Sequence, residues 1–207
     1  MTRFSYKTLA FFSVMVSAVI AAPVNAAVII LNGGMAQTCY EMTRAISKGE
    51  EVLSIQLTGS LIGISPIEVC TMAIKENDLV GFDRAGTLNN RGVLYFSEQR
   101  FAEAIKDFED GRRVDPSIAE LHVNHGASMV ALKRWAEGVA SLTKGIELMP
   151  LEPEKAYYNR AIALEELGKV REAYFDYLKA AELSPLWEQP KMQLTRFTVR
   201  KAAGAAK

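Results

Sequence analysis

Three asparagines recur along the chain at intervals of 34 and 35 residues: Asn90, Asn124 and Asn159, in the contexts NNRG, VNHG and YNRA. Asparagine is a mediocre helix former, because its amide competes with the backbone for hydrogen bonds. An amide also carries a donor and an acceptor together. Its return at one place in a long period therefore calls for a reason, and that reason depends on the elements that carry it. The other polar groups are less organised. His122 and His125 stand three apart and share a helix face if the segment is helical, the arrangement of two metal ligands. No cysteine and no further histidine is placed to complete such a site, so the two read as partly buried helix residues, with metal binding or an enzyme built on them as the less favoured alternative. Glu50-Glu51 and Glu165-Glu166 are neighbours along the chain, and adjacent helix residues do not face each other. Gly33-Gly34 lacks the strand and helix of a phosphate loop. No catalytic constellation emerges, and the expectation is a non-enzymatic protein without a cofactor.

The elements that must position these residues follow from the rest of the chain. It has 207 residues, 49% hydrophobic and 23% charged, with 24 basic and 24 acidic side chains. This is the composition of a globular chain of one or two domains. Its neutral charge makes no electrostatic case for nucleic acid. Arg3 and Lys7, the apolar run Leu9 to Ala22, and then Pro23 and the small residues up to Ala26 have the order of a secretory signal. The expected domain map begins with a signal over 1–26, cleaved after Ala26, which leaves no integral span and places the protein in the periplasm or outside the cell. An uncleaved anchor extended through Leu31 is the alternative. Cleavage leaves 22 basic against 24 acidic groups. In an oxidising compartment Cys39 and Cys70, the two cysteines of the chain, are expected to form a disulfide.

Pro116, Pro150 and Pro185 are spaced by 34 and 35 residues, and each closes an apolar stretch. Aligned on them, three segments show one ladder of sizes. The eighth position is small (Gly92, Gly126, Ala161) and the eleventh large (Tyr95, Met129, Leu164). The twentieth is small (Ala104, Gly138, Ala173), the twenty-fourth large (Phe108, Leu142, Tyr177), and the twenty-seventh small (Gly111, Gly145, Ala180). Small residues let two helix backbones approach, and large ones fill the space beside them. Each unit therefore reads as two antiparallel helices stopped by a proline, and the units must stack to bury their apolar faces.

Over Ala85 to Pro185 the chain resembles the tetratricopeptide repeat family, with departures at the fourth position (Leu88, His122, Tyr157) and one extra residue near Pro153. The resemblance implies an all-α, right-handed superhelical solenoid of antiparallel helix pairs. Three repeats span 85–185 (85–118, 119–153 and about 154–187). An N-terminal pair over 27–84 is read as a degenerate fourth unit, with helices over Gln37 to Ser47 and Pro66 to Glu76 stapled by Cys39–Cys70; residues 49–65 show no period. A capping helix from Leu186 to about Val199 and a tail, over 186–207, complete the map.

In this family the first helices line a concave groove, and the position of Asn90, Asn124 and Asn159 commonly meets the backbone of a bound extended peptide. The alternative is that the amides cap or bridge neighbouring helices. The residues expected beside them are Asn89, Val93 and Phe96, then Val123, Ala127 and Val130, then Tyr158 and Ile162, with Lys155 and Glu165 towards one end. Some family members clamp a C-terminal carboxylate with several basic groove residues. Here the corresponding positions hold one lysine, Lys155, so an apolar or extended internal segment of a partner protein is the expected occupant. Self-association through the groove is the alternative. Arg91 with Asp107, and Arg160 with Asp176, are expected to pair between the two helices of units one and three, where unit two has His125 and Ser141. The stretch from Gln189 onward carries Lys191, Arg196, Arg200, Lys201 and Lys207 without an acid, which reads first as a cationic helix end, with contact to anionic lipid or a cell-wall polymer as the alternative.

Overall fold

The small positions of the ladder lie where helices come closest. A Cβ on Gly92 would sit 2.5 Å from the ring of Phe108, and one on Gly126 would sit 2.6 Å from Leu142 Cγ and 3.0 Å from its backbone nitrogen. Within a unit, then, the small residue of the first helix receives the large residue of the second. Gly111 does the same between units, against Leu121, and Gly145 does it within unit two, against Val123. Unit three uses Ala161 and Ala180 in these places, both fully buried.

The computed structural model describes residues 3–6, 34–49, 63–75 and 79–200. The remainder of the expected signal, most of the aperiodic segment 49–65 and the C-terminal tail lie outside the described residues. Strand β1 (Arg3–Tyr6) comes first, followed by the N-terminal helix pair α1 (Met35–Ser47) and α2 (Pro66–Lys75). The three units are α3 (Gly81–Ser97) with α4 (Phe101–Val114), α5 (Ala119–Ala131) with α6 (Trp135–Glu147), and α7 (Pro153–Glu166) with α8 (Val170–Leu183). Each second helix packs on the next first helix, and the first helices also touch one another in series, α3 on α5 and α5 on α7. This is the all-α solenoid of antiparallel helix pairs. Among the described residues no helix is long and apolar enough to cross a membrane.

Local chemistry sets the boundaries. The turn inside each unit passes through the left-handed region at Gln99, Lys133 and Gly168, so one turn is repeated at the period of the ladder although only unit three supplies glycine. The extra residue between units two and three is absorbed before α7, where Pro153 takes the first helical position and its missing donor is harmless. Cys39 and Cys70 are disulfide-bonded and fully buried, joining α1 to α2 among Met42, Val69 and Leu94.

The C-terminal end departs from expectation. The capping helix α9 (Glu188–Leu194) follows α8, but it stops five residues short of Val199. Phe197–Arg200 form a strand instead, β2, paired antiparallel with β1 in the register Arg3 to Arg200 and Tyr6 to Phe197. The physical cause is local and tertiary together. Thr195, Thr198 and Val199 are β-branched and favour extended backbone. Phe197 is drawn into the core cluster of Tyr158, Leu164 and Tyr177, with Leu194 and Trp187 packed against it.

Candidate functional site

The first helices α3, α5 and α7 carry the recurring amides. Asn90, Asn124 and Asn159 are buried, as is Asn89 beside them. They behave differently. Asn124 Nδ2 donates to Asn89 Oδ1 at 2.8 Å, a bridge between adjacent first helices. Asn90 is fully buried with neither amide atom partnered, and Asn89 Nδ2 and Asn159 Oδ1 are unpartnered as well. A buried amide atom without a partner costs about 1–3 kcal/mol, so a row of them along stacked helices is unusual in a free chain. Bridging thus accounts for Asn124 and leaves Asn90 and Asn159 with unused hydrogen-bonding capacity.

Of the residues expected around these amides, Val93, Val123, Ala127, Val130 and Tyr158 are also buried, while Phe96, Ile162 and Lys155 keep partial exposure. Close stacking of first helices explains this, since Ala127 and Gly126 offer little bulk to hold α5 away from its neighbours. The repeat pattern puts these side chains on one face, but it does not encode the helix spacing that leaves so little of that face open. Lys155 Nζ lies 2.7 Å from Glu152 Oε1. Glu165 accepts from the Tyr177 hydroxyl at 3.0 Å and from Arg196 Nη2 at 2.6 Å.

The ion pairs sit between the two helices of units one and three. Arg91 Nε and Nη2 each donate to Asp107 at 2.7 Å, and Nη1 donates to Thr71 of α2 at 3.0 Å. Arg160 Nε and Nη2 donate to Asp176 at 2.7 and 2.9 Å, and Nη1 donates to Thr143 of α6 at 3.1 Å. Each arginine therefore ties its own unit and reaches the second helix before it. The hydrogen bonds that Arg160 donates to Asp176 hold its pKa above the ordinary value. Arg91 is also raised, because its bonds to Asp107 outweigh burial, the largest single influence on it.

In unit two the same place holds His125 Nδ1 and Ser141 Oγ, 2.8 Å apart. His122 Nε2 donates to the Pro116 carbonyl at 3.1 Å. Both histidines thus use a ring nitrogen within the protein. No group of three His, Cys, Asp or Glu side chains suited to a metal occurs among the described residues.

The family model for the tetratricopeptide repeat matches residues 85–117 and 154–185, units one and three of the ladder. Units one and three are tetratricopeptide repeats. The STIP1 homolog of Dictyostelium discoideum is 33% identical over 90 residues, 44% of this chain and 16% of that protein. The mitochondrial import receptor subunit TOM70 of Homo sapiens is 28% identical over 122 residues, 56% of this chain and 20% of that one. The chain thus spans a fifth or less of the length of these curated relatives. Among solved structures, the first tetratricopeptide domain of Spaghetti (RPAP3), bound to the HSP90 peptide SRMEEVD, is similar at TM-score 0.53 and 28% identity, covering 57% of this chain and 93% of that chain. MamA shares the fold at TM-score 0.55 and 18% identity, covering 62% and 72%.

Unit two is the part of this tetratricopeptide array that the family model leaves unmatched, and His125 gives it a distinct electrostatic character. Burial, then the cations Arg112, His122 and Arg134, push the His125 pKa from 6.5 down to about 4; Glu137 opposes the shift weakly. Glu109 lies 3.7 Å from Nε2. The folded protein therefore refuses a proton that the unfolded chain accepts below about pH 6.5. Stability from this group is complete above that pH and is lost as pH falls towards 4. At 1.36 kcal/mol per unit, reduced for water reaching the ring edge, the loss is about 2 kcal/mol. Urea unfolding of wild type and His125→Gln between pH 7 and 4 should give curves that converge on acidification; parallel curves would refute this.

Proposed function

We propose that this chain is a non-catalytic interaction scaffold of the cell envelope that holds an extended, largely apolar segment of another protein along α3, α5 and α7. The observation that carries the reading is the row of buried amide atoms left without partners at Asn90, Asn89 and Asn159. A peptide backbone offers alternating N–H and C=O groups that such amides can take up in pairs, once the first helices part enough to admit it. Phe96 and Ile162, which keep partial exposure, suit apolar residues of the same segment. The similarity to a domain bound to SRMEEVD supports peptide binding as the class of activity. An acidic tail is a poor fit here, because one lysine, Lys155, stands where a carboxylate clamp wants several cations, and its ammonium lies against Glu152. Placement in the envelope rests on the signal-like order of residues 1–26. N-terminal sequencing of the mature protein should begin at Ala27; retention of Met1 to Ala26 would remove that part of the reading.

Substituting Asn90→Ala and Asn159→Ala together is expected to keep the fold, since neither amide makes an internal bond to lose at the unpartnered atoms. It should also abolish retention of the partner from envelope extract on immobilised protein. Circular dichroism checks the first expectation and the pull-down the second. If the double variant retains the same proteins as wild type, the amide row is structural and the binding face lies elsewhere. Self-association through the same face would appear as concentration-dependent mass in light scattering, lost in the same variant.

A further inference from the structure

The three units differ at the fourth ladder position, and the difference leaves space in unit one. In unit three that position is Tyr157, partly buried, with Cζ of Arg160 5.4 Å from the centre of its ring. At that separation a guanidinium and a ring face attract. In unit two it is His122, whose ring is held on the Pro116 carbonyl. In unit one it is Leu88, and a cavity of about 320 Å3 lies against it, between α2, α3 and α4. Leu88 is buried and forms the apolar floor with Ile74, while Val114 stands exposed at the mouth. Arg91, the counterpart of Arg160, lines the same cavity. Two bonds to Asp107 and one to Thr71 fix its guanidinium. Tyr95 approaches that guanidinium at 5.7 Å, but from the following turn of α3, away from Leu88. Around the opening, Arg84 is tied to the Ile74 carbonyl and Arg113 lies beside Asp110. Among the described residues the charged lining is therefore three arginines and one aspartate.

We infer that this cavity is a second binding site, one that takes an aromatic side chain flanked by an acidic residue from an extended segment of a partner protein. The ring takes the place beside Arg91 that Tyr157 holds beside Arg160, and the acid meets the arginines of the opening. A volume of about 320 Å3 lies at the lower end of the range for ligand sites, about 300–1,000 Å3, and accommodates one ring with the backbone that carries it. The mouth is at the surface, where the Arg113 side chain is 70% exposed, so a chain can cross it while a single side chain enters. The site is separate from the amide row. Arg91 reaches α2 and α4, whereas Asn89 on the same helix bonds to Asn124 of α5, so either site can fail alone.

The test titrates the isotope-labelled full chain with acetyl-Phe-Glu-amide and follows backbone amide chemical shifts. Saturable shifts should appear across residues 84–91 and 110–114. The affinity should exceed that of acetyl-Leu-Glu-amide by at least about 5-fold, the worth of a partly desolvated contact between cation and ring, and should exceed that of acetyl-Phe-Lys-amide as well. Leu88→Tyr supplies the ring from within. It should keep the wild-type urea midpoint or raise it, because the ring enters open space rather than a filled core, and it should abolish the shifts. Val114→Trp closes the mouth from an exposed position and should abolish them too, with the fold checked by circular dichroism. A lowered midpoint for Leu88→Tyr, shifts that survive in Val114→Trp, equal affinity for the phenylalanine and leucine peptides or for the acidic and basic ones, or shifts confined to α5 and α7 would each overturn the inference.

Discussion

Asp107→Ala should destabilise the protein by about 3–4 kcal/mol, and Asp176→Ala by a similar amount. The Asp107 side chain is 4% exposed and its partner Arg91 17%; for Asp176 and Arg160 the values are 10% and 19%. Removing one member of a buried pair leaves the other charge desolvated and uncompensated, which costs about 3–5 kcal/mol. The lower part of that range applies because water reaches the guanidinium edges. The loss is the penalty of a stranded arginine rather than the worth of the pair. Replacing both members, Arg91→Met with Asp107→Leu, is therefore expected to lie within about 1 kcal/mol of wild type. A double-mutant cycle by urea unfolding separates these outcomes. Single-variant losses below about 1 kcal/mol would mean that the pairs behave as surface ion pairs. The two pairs lie in different units and share no partner, so their effects should add. Each arginine also donates to a threonine of the preceding second helix, so Asp107→Ala should weaken the seam between α2 and α3, and Asp176→Ala that between α6 and α7.

These pairs were legible in the sequence because they obey the repeat. Arginine and aspartate occupy the seventh and twenty-third positions together in units one and three and are absent together in unit two. The size ladder was legible for a related reason: close helix packing forces side-chain volume at fixed positions, and volume can be read from a sequence. The amides were half legible. Their recurrence marked them as a set, but the split between a bridging Asn124 and unpartnered Asn90 and Asn159 depends on distances between helices that no periodic pattern encodes. Strand β2 was hidden by two features. The apolar residues Leu186, Met192, Leu194, Phe197 and Val199 mimic a helical spacing, and the pairing strand lies at the opposite end of the chain, where it was masked by the signal-like character of the residues around it. Long-range pairing of four residues leaves no local trace.

Cys39→Ala with Cys70→Ala is expected to cost about 3–4 kcal/mol, and to cost it unevenly along the chain. The bridge closes a loop of sequence separation 31, for which the loss of chain entropy in the unfolded state amounts to about 3.7 kcal/mol. The N-terminal pair has little else to replace it. Helices α1 and α2 have 13 and 10 residues, lengths marginal for an isolated helix in water. Their buried contacts are small clusters around Ala36, Ala73 and Leu79, and around Met42, Val69 and Leu94. In a solenoid each unit is held only by its neighbours, so a local loss need not travel the whole length. Amide exchange on the double variant should therefore show α1 and α2 opening while α5 to α8 keep their protection. Unit one should lose part of its own protection, because the bond from Arg91 to Thr71 and the packing of Leu94 against Val69 both depend on α2. Uniform loss of protection would mean that the array folds as one cooperative block with the disulfide as its shared staple. Undiminished protection of α1 and α2 would mean that packing alone holds the pair.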